Sequence, residues 1–186
     1  MVVEAPVAHA SRITMEEFIA LVERNPERHY KFDARGDVVE MSPKWVHGDT
    51  QGEIVMLLKL WLRGGALPGY RAATEVVHEI GGWRCRPDVA VQPGDCEPIP
   101  REAPLLAVEI RSESNPRSEL RAKAARYLER GTQMVWLVYP DSRSLELHRT
   151  GEAAQTLSGG DVLEGGATLP GFRVSVNEVF PPLQTD

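Results

Sequence analysis

Apolar positions recur along the chain in two rhythms, one near 3.6 residues and one of two, and the rhythms alternate from segment to segment. Thr14-Met-Glu-Glu17 has the form of a capping box, and Phe18, Leu21 and Val22 follow at helical spacing. This predicts a first helix from about Met15 to Arg24, closed by Asn25-Pro26. Residues 30–34 and 37–41 are β-type runs joined through Arg35-Gly36, the pattern of a hairpin, with Ser42-Pro43 breaking the second strand. Ile54, Leu57, Leu58 and Trp61 share one stripe of a longer helix that starts near Gly48 to Thr50, reaches Leu62 and closes at Gly64-Gly65. Further strand candidates are 70–74 with 76–80, then 88–91, then 105–110.

The run 105–110 is almost wholly apolar and reads as a central strand buried on both faces, which makes the carboxylate of Glu109 conspicuous. Residues 118–130 read as a helix ended by Gly131, and 134–138 as another buried strand, so the three form a crossover between parallel strands. From 145 to 180 short strands alternate with glycine turns, ending in a short helical segment near 177–180. The expected fold class is α/β of the mixed α+β kind, a central mixed β-sheet flanked by helices. One domain spans 1–186, with residues 1–12 as an N-terminal extension.

Composition narrows the function classes only a little. A hydrophobic fraction of 42% and a charged fraction of 26% are those of an ordinary globular protein. The longest apolar run, 54–62, is interrupted by Lys59 and falls short of the roughly 20 residues that span a bilayer, so no membrane association is expected. The N-terminus has neither a basic n-region nor an apolar h-region, and the expected location is cytoplasmic. Cys85 and Cys96 fit neither a zinc site nor a disulfide framework and read as ordinary thiols. A net charge of −6 argues against a protein that coats DNA non-specifically. A local basic stretch nevertheless runs from Arg111 to Arg130, with six basic residues against three acids.

Candidate chemistry gathers in the second half of the chain. Pro87-Asp88 opens one strand, and Glu109-Ile110-Arg111 ends the next. If these strands are neighbours, Asp88 and Glu109 meet at one edge of the sheet, and two hard oxygen ligands with open water positions suit Mg²⁺ or Mn²⁺. Such an ion polarises a phosphoryl oxygen and lowers the pKa of a bound water, the apparatus of phosphodiester hydrolysis. Taken alone, an aspartate after proline is more often a strand opener or turn cap. Lys123 lies between the buried-stripe residues Leu120, Ala124, Tyr127 and Leu128, so it either points at the sheet, where it can stabilise developing phosphorane charge, or snorkels along the helix flank. His78-Glu79 begins an HExxH-like string, but Gly82 stands where the second ligand belongs, and neither GxSxG nor a Walker sequence is present.

These residues, in this order, resemble the bacterial Uma-two family of putative restriction endonucleases within the PD-(D/E)XK nuclease superfamily. The likeness rests on Met15 to Phe18, Tyr30 to Pro43, His47, Pro87-Asp88, Pro104 to Ser112, Lys123 with Tyr127, Gly131, Val135 to Val138 with Pro140, and Leu169-Pro170-Gly171. The resemblance implies a restriction-endonuclease-like core. It also implies that Asp88 and Glu109 bind the metal and that Lys123, moved from strand to helix, replaces the lysine of the superfamily motif, whose strict position is held by Arg111. Arginine keeps its proton and is a poor general base, so Arg111 is an accessory candidate that can hold phosphate. Lys31 is a departure, because many family members carry there a glutamate that could complete the metal site. Glu53 either substitutes for that acid or is a solvated helix residue. His47 either contacts phosphate or caps the long helix, and Trp45 either stacks or packs.

The function expected on these grounds is a Mg²⁺- or Mn²⁺-dependent endonuclease acting on nucleic acid, DNA foremost. Asp88, Glu109 and Lys123 would be catalytic, and Arg111, Arg117 and Arg121 would contact the nucleic acid. The alternative is a catalytically degenerate member that binds nucleic acid or a protein and cuts nothing. A homodimer fits the first reading, because cutting both strands of a duplex needs two sites.

Overall fold

Continuous β-branched and aromatic runs in the middle of the chain place two strands at the centre of a sheet, covered on both faces. A computed structural model describes residues 13–26, 28–41, 45–112 and 115–182; the N-terminal extension and the break at Ser42-Pro43 lie outside them. The chain begins with α1 (Met15–Arg24) and the hairpin β1 (His29–Phe32) and β2 (Val38–Met41). Next come α2 (Trp45–Arg63), β3 (Tyr70–Thr74), the ribbon β4 (His78–Ile80) and β5 (Trp83–Cys85), β6 (Val89–Pro93) and β7 (Leu106–Ile110). Then follow α3 (Arg117–Glu129), β8 (Met134–Tyr139), β9 (Ser144–Arg149), β10 (Gln155–Ser158), and a last ribbon of β11 (Val162–Glu164) and β12 (Arg173–Ser175).

The central sheet has six strands in the order β10-β9-β8-β7-β6-β3. Only β7 and β8 run parallel, joined over one face by α3; all other neighbours are antiparallel. The sheet is therefore mixed, and the crossover expected from 105–138 is present. Along β7, Val108 and Ile110 join Ile54 and Leu58 of α2 in one core. Ala107 turns the other way and meets Leu120, Ala124 and Tyr127 of α3 in a second core, with Trp83 and Cys85. Side chains alternate across a strand, so Glu109 falls on the α3 face with Ala107. A third, smaller cluster of Phe18, Tyr30, Phe32 and Val38 holds α1 against the first hairpin.

Several boundaries differ from the sequence reading, each for a local reason. The capping box at Thr14 forms as its spacing demands: the Glu17 amide donates to Thr14 Oγ1 at 3.1 Å, and the Thr14 amide donates to Glu17 at 2.6 Å. The long helix starts at Trp45, a turn earlier than expected, so His47 lies inside its first turn and does not cap it. Trp45 is 87% exposed, so its ring is not part of the core. The segment 76–80 does not extend β3: Glu75 adopts φ +57°, the chain leaves the central sheet there, and β4 pairs with β5 instead. Cys85 is buried and Cys96 exposed, both free thiols. No described helix is long and apolar enough to cross a membrane.

Candidate functional site

The register of β6 and β7 decides which acids meet. Val89 pairs with Val108 and Ala90 with Ala107, so one step further along the same ladder Asp88 stands opposite Glu109. Asp88 is completely buried, and the Ile110 amide donates to its Oδ2 at 2.6 Å. That bond fixes the carboxylate from the neighbouring strand and leaves Oδ1 for side chains.

Two side chains reach Oδ1. The Lys31 ammonium of β1 donates to it directly, and His47 Nε2 of α2 lies 3.1 Å away. Gln51, one turn after His47 on the same helix face, donates to the Asp88 carbonyl at 2.7 Å and to Glu75 Oε1 at 3.1 Å. Glu75 completes the group: it is 4.0 Å from Lys31 Nζ, and its other oxygen is 3.0 Å from Arg86 Nε. Its positive φ is uncommon for a residue with a side chain, and such conformations cluster at functional sites.

Burial alone would raise the pKa of Asp88, but the Lys31 charge, His47 and the Ile110 amide overcome it and hold the carboxyl well below the usual range. For Lys31 the balance runs the same way. Burial disfavours its charge, yet Asp88, Glu109 and Glu75 together raise its pKa above the ordinary value, so it stays an ammonium at neutral pH. Burial raises the pKa of Glu75, with Lys31 opposing and Asp88 reinforcing the shift.

Glu109 forms the second half of the site. Lys123 Nζ donates to its Oε2 at 3.0 Å and the Tyr127 hydroxyl to its Oε1 at 2.9 Å, all three groups being buried. Lys123 and Tyr127 are one helical turn apart, which puts both on the sheet-facing side of α3. Lys123 therefore points at the sheet, and the snorkelling alternative is set aside. Burial pushes the Tyr127 hydroxyl well above its ordinary pKa, with Cys85 and Glu109 adding to the effect, so it remains a donor to Glu109.

Sequence reasoning singled out some of these groups and overlooked others. Asp88, Glu109, Lys123 and His47 come together. Glu53 is half-buried on α2 and is outside the cluster; its place is taken by Glu75, which falls between the two runs read as strands, 70–74 and 76–80, and was not singled out. Arg111 turns away, pairing with Asp141 at 2.8 Å and donating to the Asn115 carbonyl at 3.1 Å. Arg121 forms a two-pronged bond to Glu146 at 3.0 and 2.7 Å, and the Arg117 guanidinium sits 4.1 Å above the Tyr139 ring. The basic stretch is thus largely engaged within the fold.

Among the described residues, His47, Glu75 and Asp88 are the group of three whose ligand atoms lie within 4.8 Å of one another. The two carboxylates suit Mg²⁺ or Mn²⁺ in donor type, whereas the imidazole nitrogen is a donor more typical of transition metals, so the set as a whole favours Mn²⁺ over Mg²⁺. The Lys31 ammonium, which has no lone pair to offer, stands among the same donors.

Comparison with known proteins agrees with the architecture. The fold is similar to the crystal structure of a putative nuclease belonging to DUF820 from Anabaena variabilis ATCC 29413, with TM-score 0.76 at 22% identity over 91% of this chain and 98% of that one. A cryo-EM structure of a DrdV–DNA complex matches at TM-score 0.39 and 22% identity, over 58% of this chain and 10% of that one. No curated protein matches the sequence. A family model described as "putative restriction endonuclease" matches residues 15–177, and with nearly the whole folded chain inside that match, the protein belongs to this family, Uma2.

Proposed function

We propose that the protein is a nuclease that hydrolyses nucleic-acid phosphodiester bonds, DNA foremost, at the Asp88–Glu109–Lys123 site with Mg²⁺ or Mn²⁺ as cofactor. The observation that carries this reading is a pair of buried carboxylates facing one another across the neighbouring inner strands β6 and β7, one of them bonded to a buried lysine, in a chain of a family described as putative restriction endonucleases. Buried ionisable groups are costly, and clusters of them gather at functional sites more than in purely structural cores.

Each residue has a definite task. Asp88, oriented by the Ile110 amide, would hold the ion together with Glu75 and His47. When bound, the ion supplies charge stabilisation at the phosphoryl oxygen and a more acidic water. Lys123 would meet a phosphoryl oxygen, and Glu109, expected from the resemblance to bind the metal but outside the three-donor group, would orient the attacking water with Tyr127 steadying it. A cleavage assay on plasmid, linear duplex and single-stranded substrates with Mg²⁺ or Mn²⁺ tests this. Asp88→Asn and Glu109→Gln should each abolish product while the protein stays folded, and an undiminished rate in either would refute the assignment.

One observation favours a second reading. Lys31 is paired within the ion-binding group, and Arg111 and Arg121 are engaged by Asp141 and Glu146. A member so arranged would bind nucleic acid or a protein partner without cutting. Salt-sensitive DNA binding with no product under either metal would support this second reading.

A further inference from the structure

We infer that the Lys31 ammonium is an internal cation occupying the position that His47, Glu75 and Asp88 would give to a divalent ion, so that lysine and ion exclude one another. The inference concerns the same site as the nuclease reading and draws its consequence from it: the site would work only after Lys31 has moved out.

The geometry points this way from three directions. Lys31 shares Asp88 Oδ1 with His47, taking the oxygen that faces the other donors, while Oδ2 is tied to the Ile110 amide. Its Nζ is also 4.0 Å from Glu75 Oε1, so the ammonium lies between the two carboxylates that the ion would bridge. An ion bound at ordinary metal–oxygen distances of about 2.0–2.6 Å would stand against the ammonium, with like charges meeting where little water can screen them. Lys31 is also well fitted to the role of stand-in. It neutralises Asp88 without offering a ligand, and its side chain is 8% exposed.

The second cation nearby does not compete for this position. Arg86 binds the far oxygen of Glu75 and donates to the Tyr30 carbonyl at 2.6 Å, so it anchors the acid and the strand that carries Lys31. Lys123 is committed to Glu109. Lys31 is therefore the cation whose removal would change the ion's access.

The test measures Mn²⁺ affinity by isothermal titration and electron paramagnetic resonance, without nucleic acid, on the full chain and on Lys31→Ala, Lys31→Gln and Lys31→Arg. The two neutral variants should bind Mn²⁺ about tenfold or more tightly than the wild type, which corresponds to about 1.4 kcal/mol. Lys31→Arg, which keeps the charge, should show no gain, and Asp88→Ala added to Lys31→Ala should remove it. Equal affinity in wild type and neutral variants, or binding in none, overturns the inference. If a neutral variant is unfolded without ion, circular dichroism during Mn²⁺ addition decides: refolding with ion supports the inference, and failure to refold counts against it. The nuclease reading fails or stands separately. A chain that cuts nothing but gains Mn²⁺ affinity without Lys31 loses only that reading, and a chain that cuts but binds Mn²⁺ indifferently to Lys31 loses only this one.

Discussion

Asp88→Ala removes the carboxylate that three groups share, and its cost can be worked from those groups. Lys31 would keep Glu75 at 4.0 Å as its nearest counter-charge, and the Ile110 amide would lose its acceptor. Breaking a buried ion pair from one side costs about 3–5 kcal/mol, and an unsatisfied buried amide about 1–3. A loss of about 5 kcal/mol for Asp88→Ala is therefore expected, a large share of an ordinary domain stability of about 5–15 kcal/mol. Lys31→Met should cost less, about 3 kcal/mol, because Asp88 keeps His47 and the Ile110 amide. In the double variant no charge is stranded, so it should be no worse than Lys31→Met, with a coupling of at least about 5 kcal/mol. Urea unfolding followed by tryptophan fluorescence would measure this, with an unchanged slope confirming that the same surface is exposed. Additive losses, with coupling below about 0.5 kcal/mol, would show that Lys31 and Asp88 do not form one electrostatic unit.

The same carboxylate makes stability depend on acid. Because its pKa is depressed in the fold, Asp88 contributes stability that is present above the ordinary carboxylate value of about 4 and is lost as pH falls below it; Asp88→Asn should flatten the unfolding curve in that range, read by denaturant titration between pH 5 and 2. Tyr127→Phe removes one of the two donors to Glu109, so we expect a loss of about 1–3 kcal/mol in urea unfolding and a slower cleavage rate with little change in substrate binding. Gly131 ends α3 at φ +104°, and a Cβ there would meet only Ala103 at 3.7 Å; Gly131→Ala should therefore cost on the order of 1–2 kcal/mol through backbone strain alone, read as a lower melting temperature.

Much of the scaffold was legible because local chemistry wrote it. The capping box at Thr14, the apolar run ending at Glu109 and the crossover helix closed by Gly131 each carry their own signal within a few residues. Half of the site followed from the same signals, since Glu109, Lys123 and Tyr127 lie on consecutive elements of one crossover. The other half was readable only in part, through Asp88 and His47, and its remaining members were not. Glu75 depends on a left-handed backbone angle that no side chain announces, and β5 is too short to show a rhythm. Lys31 stood out only as an unexpected residue; its contact with Asp88 spans 57 positions and is set by tertiary packing. Arg111 and Arg121 looked like a basic surface because their acidic partners, Asp141 and Glu146, lie 30 and 25 residues away.

That difference in sequence separation also divides the site by the length of chain each contact must close. Glu109 meets Lys123 across 14 residues inside a single strand–helix unit, so this half can assemble as the crossover closes. Lys31 lies on β1, in the hairpin packed with α1 around Phe18 and Phe32, a cluster with its own small core. The polar contacts that tie this unit to the sheet include Arg86 to the Tyr30 carbonyl, Arg126 to the Ala34 carbonyl, and Lys31 itself. If α1 and its hairpin opened as a unit, the ammonium would be drawn off Asp88 while the sheet stayed whole, so access to the centre would follow a local opening equilibrium separate from the global one.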